Sequence, residues 1–209
     1  MAAAELGAVA MLLGVHVWTD SSAVLSKPMR TVVSTTTVLC VGTLFLRSRP
    51  TLARVGLRPH SWSDGLGVLA TGTAVAVAAL FIVGAWRDTL FSARDLGRWT
   101  ASVWHLQVLQ QLMLNAFVAP RAAAVAGGDG LRAAMGAATL FAALHLPNPL
   151  LTCLSFFAAL GWREWYRRHP NLPAVWASHF ALSFAVMATQ DSDLLRRMRV
   201  GAAYLYFRD

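Results

Sequence analysis

Three polar clusters interrupt the apolar runs of this 209-residue chain, and their residue types could do chemistry. Each cluster pairs polar or aromatic residues that lie four or five positions apart, a spacing that brings side chains close to one face of a helix. The clusters are Gln110, Gln111 and Asn115; Phe141 and His145; and His179 and Ser183. A polar side chain within a membrane is costly unless it faces a partner or a cavity. The three clusters together therefore predict one shared polar cavity.

Two histidines are the candidates for acid-base work in such a cavity. A neutral imidazole accepts a proton near pH 7, whereas a carboxamide has no proton-accepting group there and serves in hydrogen bonding. We therefore assign the catalytic candidates as His145 and His179, with Gln110 and Gln111 beside them. Two imidazole nitrogens without a carboxylate or thiolate make a poor metal site, so we expect no metal and no other cofactor. Glu164 lies among arginines, and we expect it to form ion pairs with them.

Composition indicates what must position these residues. The chain is 56% hydrophobic and 13% charged, with a mean hydropathy of +0.52, which excludes disordered, coiled-coil and most soluble classes. We predict an all-α, polytopic transmembrane bundle of roughly seven helices with a polar intramembrane cavity, as a single membrane domain over residues 1–209. The apolar runs lie near 4–18, 29–46, 66–86, 98–119, 131–146, 148–165 and 172–190.

The positive charge of the chain indicates its surroundings. The formal net charge is +8, and the arginines lie in short clusters between apolar runs, where they meet anionic lipid headgroups. We therefore expect a lipid bilayer and no nucleic acid as the partner. The two cysteines, Cys40 and Cys153, lie within apolar runs, and we expect each to be a buried small hydrophobe. The first apolar run lacks a basic leader, so we expect it to be a helix that stays attached.

The order and spacing of the clusters resemble the CPBP family, the CAAX prenyl protease and bacteriocin-processing group also called Abi proteins. The family motifs are EExxxR, FxxxH and HxxxN or a close variant, and here they correspond to QQLMLN at 110–115, FAALH at 141–145 and HFALS at 179–183. The resemblance covers about residues 55–190, including VGLRPHSW before the third run. It implies an all-helical intramembrane fold with a polar cavity. In active members the first glutamate is taken to activate a water that attacks a peptide bond, and the histidines orient groups around it.

This chain departs from the family at the catalytic position. Gln110 and Gln111 occupy the positions of the two glutamates, and Asn115 occupies that of the arginine, so the carboxylate base and its cationic partner are both replaced. The loss of the glutamates and the loss of the arginine are consistent with each other, because an arginine without its carboxylates would be an unpaired charge within the membrane.

Three hypotheses follow from this pattern. The first is an intramembrane peptidase of divergent mechanism that acts on prenylated or membrane-associated substrates. The second is a non-proteolytic relative that binds or transforms an isoprenoid or another lipid. The third is a membrane interaction or immunity protein. Asn115, Phe141, Ser183 and Trp104 are the predicted substrate contacts, and the expected location is the bacterial cytoplasmic membrane.

Overall fold

The computed structural model describes residues 1–20, 25–49, 51–57, 65–90, 93–189 and 195–206. The described part of the chain contains helices and no strand, which confirms the all-α prediction there. The helical elements in chain order are α1 (Ala2–Asp20), α2 (Lys27–Arg47), α3 (Leu66–Trp86), α4 (Ala93–Leu112), a π-helical segment (Met113–Val118), α5 (Ala119–Ala126), α6 (Leu131–Ala143), α7 (Pro149–Arg168), α8 (Leu172–Thr189), a 3-10 turn (Arg196–Met198) and α9 (Ala202–Leu205). The sequence segment at 55–62 that resembles the family's lead-in lies partly outside the described residues.

Four of these helices are long and apolar enough to cross a membrane. They are α1, α2, α3 and α8, of 18 to 21 residues, with mean hydropathies between 1.4 and 2.3. A helix of about 20 residues spans about 30 Å, the thickness of a bilayer's hydrocarbon core. The protein is therefore a membrane protein with four candidate spans among its described helices.

Local sequence explains where the helices begin and end. Pro28 lies in the first turn of α2, where a missing backbone N–H costs nothing, and Gly127 follows the last residue of α5 in a left-handed conformation with φ of 74°. Between α6 and α7 the two prolines at 147 and 149 interrupt the helical hydrogen bonds. The Asn148 side chain accepts the backbone N–H of Leu151 at 3.0 Å and so caps α7.

The helix around Asn115 continues past the predicted end at residue 119. Pro120 lacks the N–H that would bond to the carbonyl of residue 116, and its ring crowds that carbonyl. The six residues Met113–Val118 widen into a π-helix just before this proline, and α5 then continues to Ala126. The widened turn relieves the clash without ending the helix, which is a common origin of such bulges.

The structure divides into two compact units, and the first contains residues 1–50, 117–161 and 198–209. Within it α1 packs against α2 and α5, α5 packs against α6, and α9 contacts α1. Gly201, with φ of 57°, lies against the backbone of Val17, and its N–H donates to the carbonyl of Leu146 at 2.8 Å. A Cβ at Gly201 would clash with the backbone carbonyl of Val17, so glycine permits the contact.

The second unit contains residues 51–116 and 162–197, and α8 is its central helix. Both α3 and α4 pack against α8. A Cβ at Gly84 of α3 would lie 2.6 Å from the Cβ of Thr189, so glycine allows the two helices to approach closely here. The Thr89 hydroxyl donates to the Thr189 carbonyl at 2.6 Å beside the same contact. Gly84 is the buried residue of α3, and most of the other residues of that helix are exposed and apolar.

The prediction that both cysteines are buried is wrong. Cys40 on α2 and Cys153 on α7 are exposed. Within apolar membrane helices an apolar side chain gains little by facing a protein neighbour rather than lipid, so residue type alone does not indicate burial there.

Candidate functional site

A chain of three hydrogen-bonded side chains lies in the second unit. Gln111 lies in the last turn of α4, Asn115 follows in the π-helical segment, and His179 lies on α8, which packs against α4. The Gln111 Nε2 atom is 3.1 Å from His179 Nδ1, and Asn115 Nδ2 donates to Gln111 Oε1 at 2.9 Å. All three side chains are buried, and Gln111 has no exposed surface. The structure thus brings two of the predicted motifs together.

The direction of these hydrogen bonds determines which His179 nitrogen carries the proton. Asn115 Nδ2 also lies 3.3 Å from the backbone carbonyl of Gln111, an acceptor, so this end of the Asn115 amide is its donor. Gln111 Oε1 then accepts, and Gln111 Nε2 donates to His179 Nδ1. A neutral imidazole whose Nδ1 accepts carries its hydrogen on Nε2. His179 therefore carries its hydrogen on Nε2, and its Nδ1 lone pair is occupied by the hydrogen bond from Gln111.

Trp162 and Ser178 hold the His179 ring in place. The Trp162 and His179 ring centroids are 4.5 Å apart, and the indole N–H of Trp162 donates to the Ser178 hydroxyl at 3.0 Å. Ser178 lies 2.7 Å from the hydroxyl of Thr73, which itself donates to the carbonyl of Leu69 at 2.7 Å. The Ser178 hydroxyl thus takes part in a series of hydrogen bonds that links α3 to α8. Trp162 was not predicted as a site residue from the sequence. Its only distinguishing feature there is its position next to the charged C-terminal end of α7.

Two buried carboxamide oxygens flank this network. Gln107 Oε1, one turn before Gln111, and Asn115 Oδ1, one turn after it, have no hydrogen-bond partner among the described residues. Both side chains are about 96% buried, since their exposed fractions are 4% each. A buried carbonyl oxygen without a partner costs about 1–3 kcal/mol. The face of α4 that was predicted to be polar therefore contains buried acceptors that have no donor among the described residues.

The second predicted histidine lies in the first unit and has the opposite tautomer. His145 Nδ1 is 3.0 Å from the carbonyl of Phe141, so Nδ1 must donate and Nε2 carries the lone pair. The Phe141 ring is buried, with its centroid 5.2 Å from that of His145. The turn after His145 is tied to the C-terminal segment by Asn148 Nδ2, which donates to the carbonyl of Arg199 at 3.1 Å. The proximity of His145 to His179 stays a prediction.

The remaining predicted site residues differ in exposure. Ser183 is buried one turn after His179 on α8, and Gln110 is half-buried. Trp104 is 51% exposed, and its backbone carbonyl accepts the indole N–H of Trp176 at 3.2 Å. Trp104 thus presents its ring at a surface of the second unit, and its contact with a substrate stays a prediction.

Ion pairs form on α7 and between α1 and α5 in the part of the chain that the structure describes. The predicted ion pairs of Glu164 are confirmed, since its carboxylate lies 2.8 Å from Arg167 and 2.6 Å from Arg168. In the first unit Glu5 of α1 pairs with Arg121 of α5, whose guanidinium lies 3.5 Å from the centroid of the Phe117 ring. Nothing in the sequence signals this pair, because its members lie 116 positions apart. Within the described ranges, no three His, Cys, Asp or Glu side chains form a group that could hold a metal ion.

Comparisons with protein-family models, with curated proteins and with solved structures give no match for this chain.

Proposed function

We propose that this protein is a CPBP-like integral membrane protein that binds a lipophilic molecule instead of cleaving peptides. In this proposal seven helical segments cross a bacterial cytoplasmic membrane. One of these spans consists of α4, the π-helical segment and α5. A polar cavity is extended by α6, α7 and the turn between them. The ligand is an isoprenoid or another lipid, or a prenylated molecule, whose polar end meets carboxamides. The motif order at 110–115, 141–145 and 179–183 supports the resemblance.

The observation that carries the proposal is the direction of the hydrogen bonds that run from Asn115 through Gln111 to His179. Gln111 occupies the position of a family glutamate, and both the nitrogen and the oxygen of its amide are hydrogen-bonded to neighbouring side chains. His179 is held with Nε2 protonated and with its Nδ1 lone pair bonded to Gln111, so it has no lone pair with which to activate a water. A hydrolase needs a proton acceptor within hydrogen-bond distance of that water. Binding therefore fits this network better than hydrolysis.

The flanking acceptors indicate the chemistry of the polar end. Gln107 Oε1 and Asn115 Oδ1 both require a donor, such as a hydroxyl or an amide N–H. An anionic head, with oxygens that only accept, would repel them. The proposed ligand therefore carries an uncharged, donor-bearing end, and a prenyl alcohol is the simplest isoprenoid of that kind.

A second candidate, a peptidase of divergent mechanism, is supported by His145. Its Nε2 lone pair can accept a proton because Nδ1 donates to the Phe141 carbonyl. In this scheme His145 is the base. The two candidates differ in what they require, since a peptidase needs His145 as its base and a binding protein needs the amide network.

Mass spectrometry of molecules extracted from the purified protein tests the first candidate. Wild type is compared with His179→Ala and with His105→Ala, the latter a control because His105 lies exposed on α4. We expect a specific alcohol- or amide-bearing lipid that is lost from His179→Ala and kept in His105→Ala. Bulk lipid alone in wild type would contradict the proposal. Cleavage of membrane peptides by wild type that His145→Ala abolishes would favour the peptidase instead.

A further inference from the structure

The hairpin that α1 and α2 form in the first unit has one polar end. The Ser34 hydroxyl of α2 donates to the Asp20 carboxylate at 3.2 Å and lies 3.2 Å from His16 Nδ1. The Arg30 guanidinium donates to the backbone carbonyl of Asp20 at 3.3 Å. Both helices are long and apolar enough to span a membrane, and charged groups in such helices lie close to its boundaries. In a bilayer this end of the hairpin therefore lies at a boundary of the hydrocarbon core.

The C-terminal segment is held at the same level of α1. Gly201 lies against the backbone of Val17, three positions before the end of α1. The Gly201 N–H donates to the carbonyl of Leu146 at 2.8 Å. Asn148, which has no exposed surface, donates from Nδ2 to the carbonyl of Arg199 at 3.1 Å. The C-terminal segment thus joins the end of α1 to the turn between α6 and α7.

Large apolar and aromatic side chains are exposed at this level. On α1 the exposed residues Met11 and Val15 lead at helical spacing to Trp18, which is also exposed. Leu205 and Tyr206, at the end of α9, are both more than half exposed. The four residues of α9 extend only about 6 Å, so both side chains lie near the same boundary. Tryptophan and tyrosine are enriched where headgroups meet acyl chains, because their rings are apolar and their N–H or O–H groups bond to polar neighbours.

We propose that residues 199–206 form an interfacial anchor, in which Leu205 and Tyr206 insert between the lipids at the boundary of the bilayer around α1. The leucine side chain and the tyrosine ring contact acyl chains, and the tyrosine hydroxyl bonds to headgroups or water. Lipid is the occupant because the anchor continues the exposed apolar face of a membrane-spanning helix. Since the anchor is bonded to Leu146, the turn between α6 and α7 lies at the same boundary and not at the middle of the membrane. The proposal depends on α1 crossing the membrane and not on a ligand of the amide network.

Depth-dependent quenching of a fluorescent label tests the anchor in the reconstituted protein. Single cysteines carry a bimane label at Tyr206→Cys, at Leu146→Cys or at native Cys40, and the other native cysteines are replaced by serine. All three positions are exposed, so the label displaces no packed side chain. Cys40 is the deep reference, because it lies three positions from the middle of α2. The phosphatidylcholine vesicles contain a nitroxide either near the ester end of an acyl chain or near its methyl end.

We expect the shallow nitroxide to quench the labels at 206 and 146 more strongly than the deep one, and the order to reverse at Cys40. Quenching of the 206 label by aqueous iodide and by neither nitroxide would overturn the proposal, because the segment would then lie in water. Protection from all three quenchers would overturn it as well, since a second copy of the chain would then cover the segment.

Stronger quenching of the 206 label by the deep nitroxide would also contradict the anchor, because the segment would then lie within the hydrocarbon core. A shallow label at 206 with a deep label at 146 would refute the shared boundary. None of these results bears on the amide network, whose test uses His179→Ala.

Discussion

Replacing Gln107 with leucine should stabilise the protein, although the change removes a polar residue from a polar face. Gln107 Oε1 is buried without a hydrogen-bond partner among the described residues. In the detergent-unfolded state water reaches this amide, so folding costs its hydration and returns no hydrogen bond. Leucine has a similar size and no polar atom, and it avoids that cost.

The magnitude follows from the contacts. Removing an unpartnered buried acceptor recovers about 1–3 kcal/mol, and imperfect packing of leucine offsets part of it, so we expect a gain of about 1–2 kcal/mol. Gln111→Leu is the matched control one turn away. It removes the hydrogen bonds to His179 and Asn115 and deprives both groups of these partners. We expect it to cost about 2–4 kcal/mol, so the two glutamines should differ in sign.

Equilibrium unfolding in mixed detergent micelles measures both effects on lipid-depleted protein. The free energy of unfolding is compared for wild type and the two single variants under one detergent series. A loss of stability in Gln107→Leu as large as that in Gln111→Leu would refute the reasoning, because it would mean that Gln107 Oε1 already has a stabilising partner.

Two further substitutions test the helix contacts within each unit. Gly84→Ala should lower the free energy of unfolding by about 1–3 kcal/mol, since its Cβ would lie 2.6 Å from a side chain of α8. Gly72→Ala on the same helix, with open space around it, should change the free energy of unfolding little or raise it. Equal effects of the two substitutions would refute the close contact. Glu5→Gln should weaken the attachment of α1 to α5 by about 1–3 kcal/mol, because it removes the carboxylate charge that pairs with Arg121. A double-mutant cycle with Arg121→Met that gives no coupling energy would show that the pair contributes nothing to stability.

Much of the helical organisation could be predicted from the sequence, because it depends on local chemistry. The prolines at 147 and 149 interrupt the helix wherever the chain is placed, and the two helices end and begin beside them. The end of the fourth apolar run could not be predicted in this way. Pro120 is compatible either with a helix end or with a π-helical turn, and only the surrounding packing selects between them.

The candidate site shows the same division between local and tertiary information. A spacing of four residues places Gln107, Gln111 and Asn115 on one face of a helix, and the structure buries all three. The spacing does not indicate which neighbouring helix that face meets. The contact of Gln111 with His179 joins residues 68 positions apart, and Trp162 enters the site from a third helix. The hydrogen-bond direction that protonates His179 on Nε2 depends on all of these placements together.

The sequence by itself therefore determined a helical membrane chain, its helix breaks and the polar residues that require partners, because hydrophobicity, proline chemistry and helical periodicity are local properties. The tertiary structure decided which of those residues meet, which tautomers His145 and His179 have and which buried oxygens are left without a donor among the described residues. Those outcomes depend on contacts between segments distant in the chain, and the free energy of a buried polar group is set by the neighbour that reaches it.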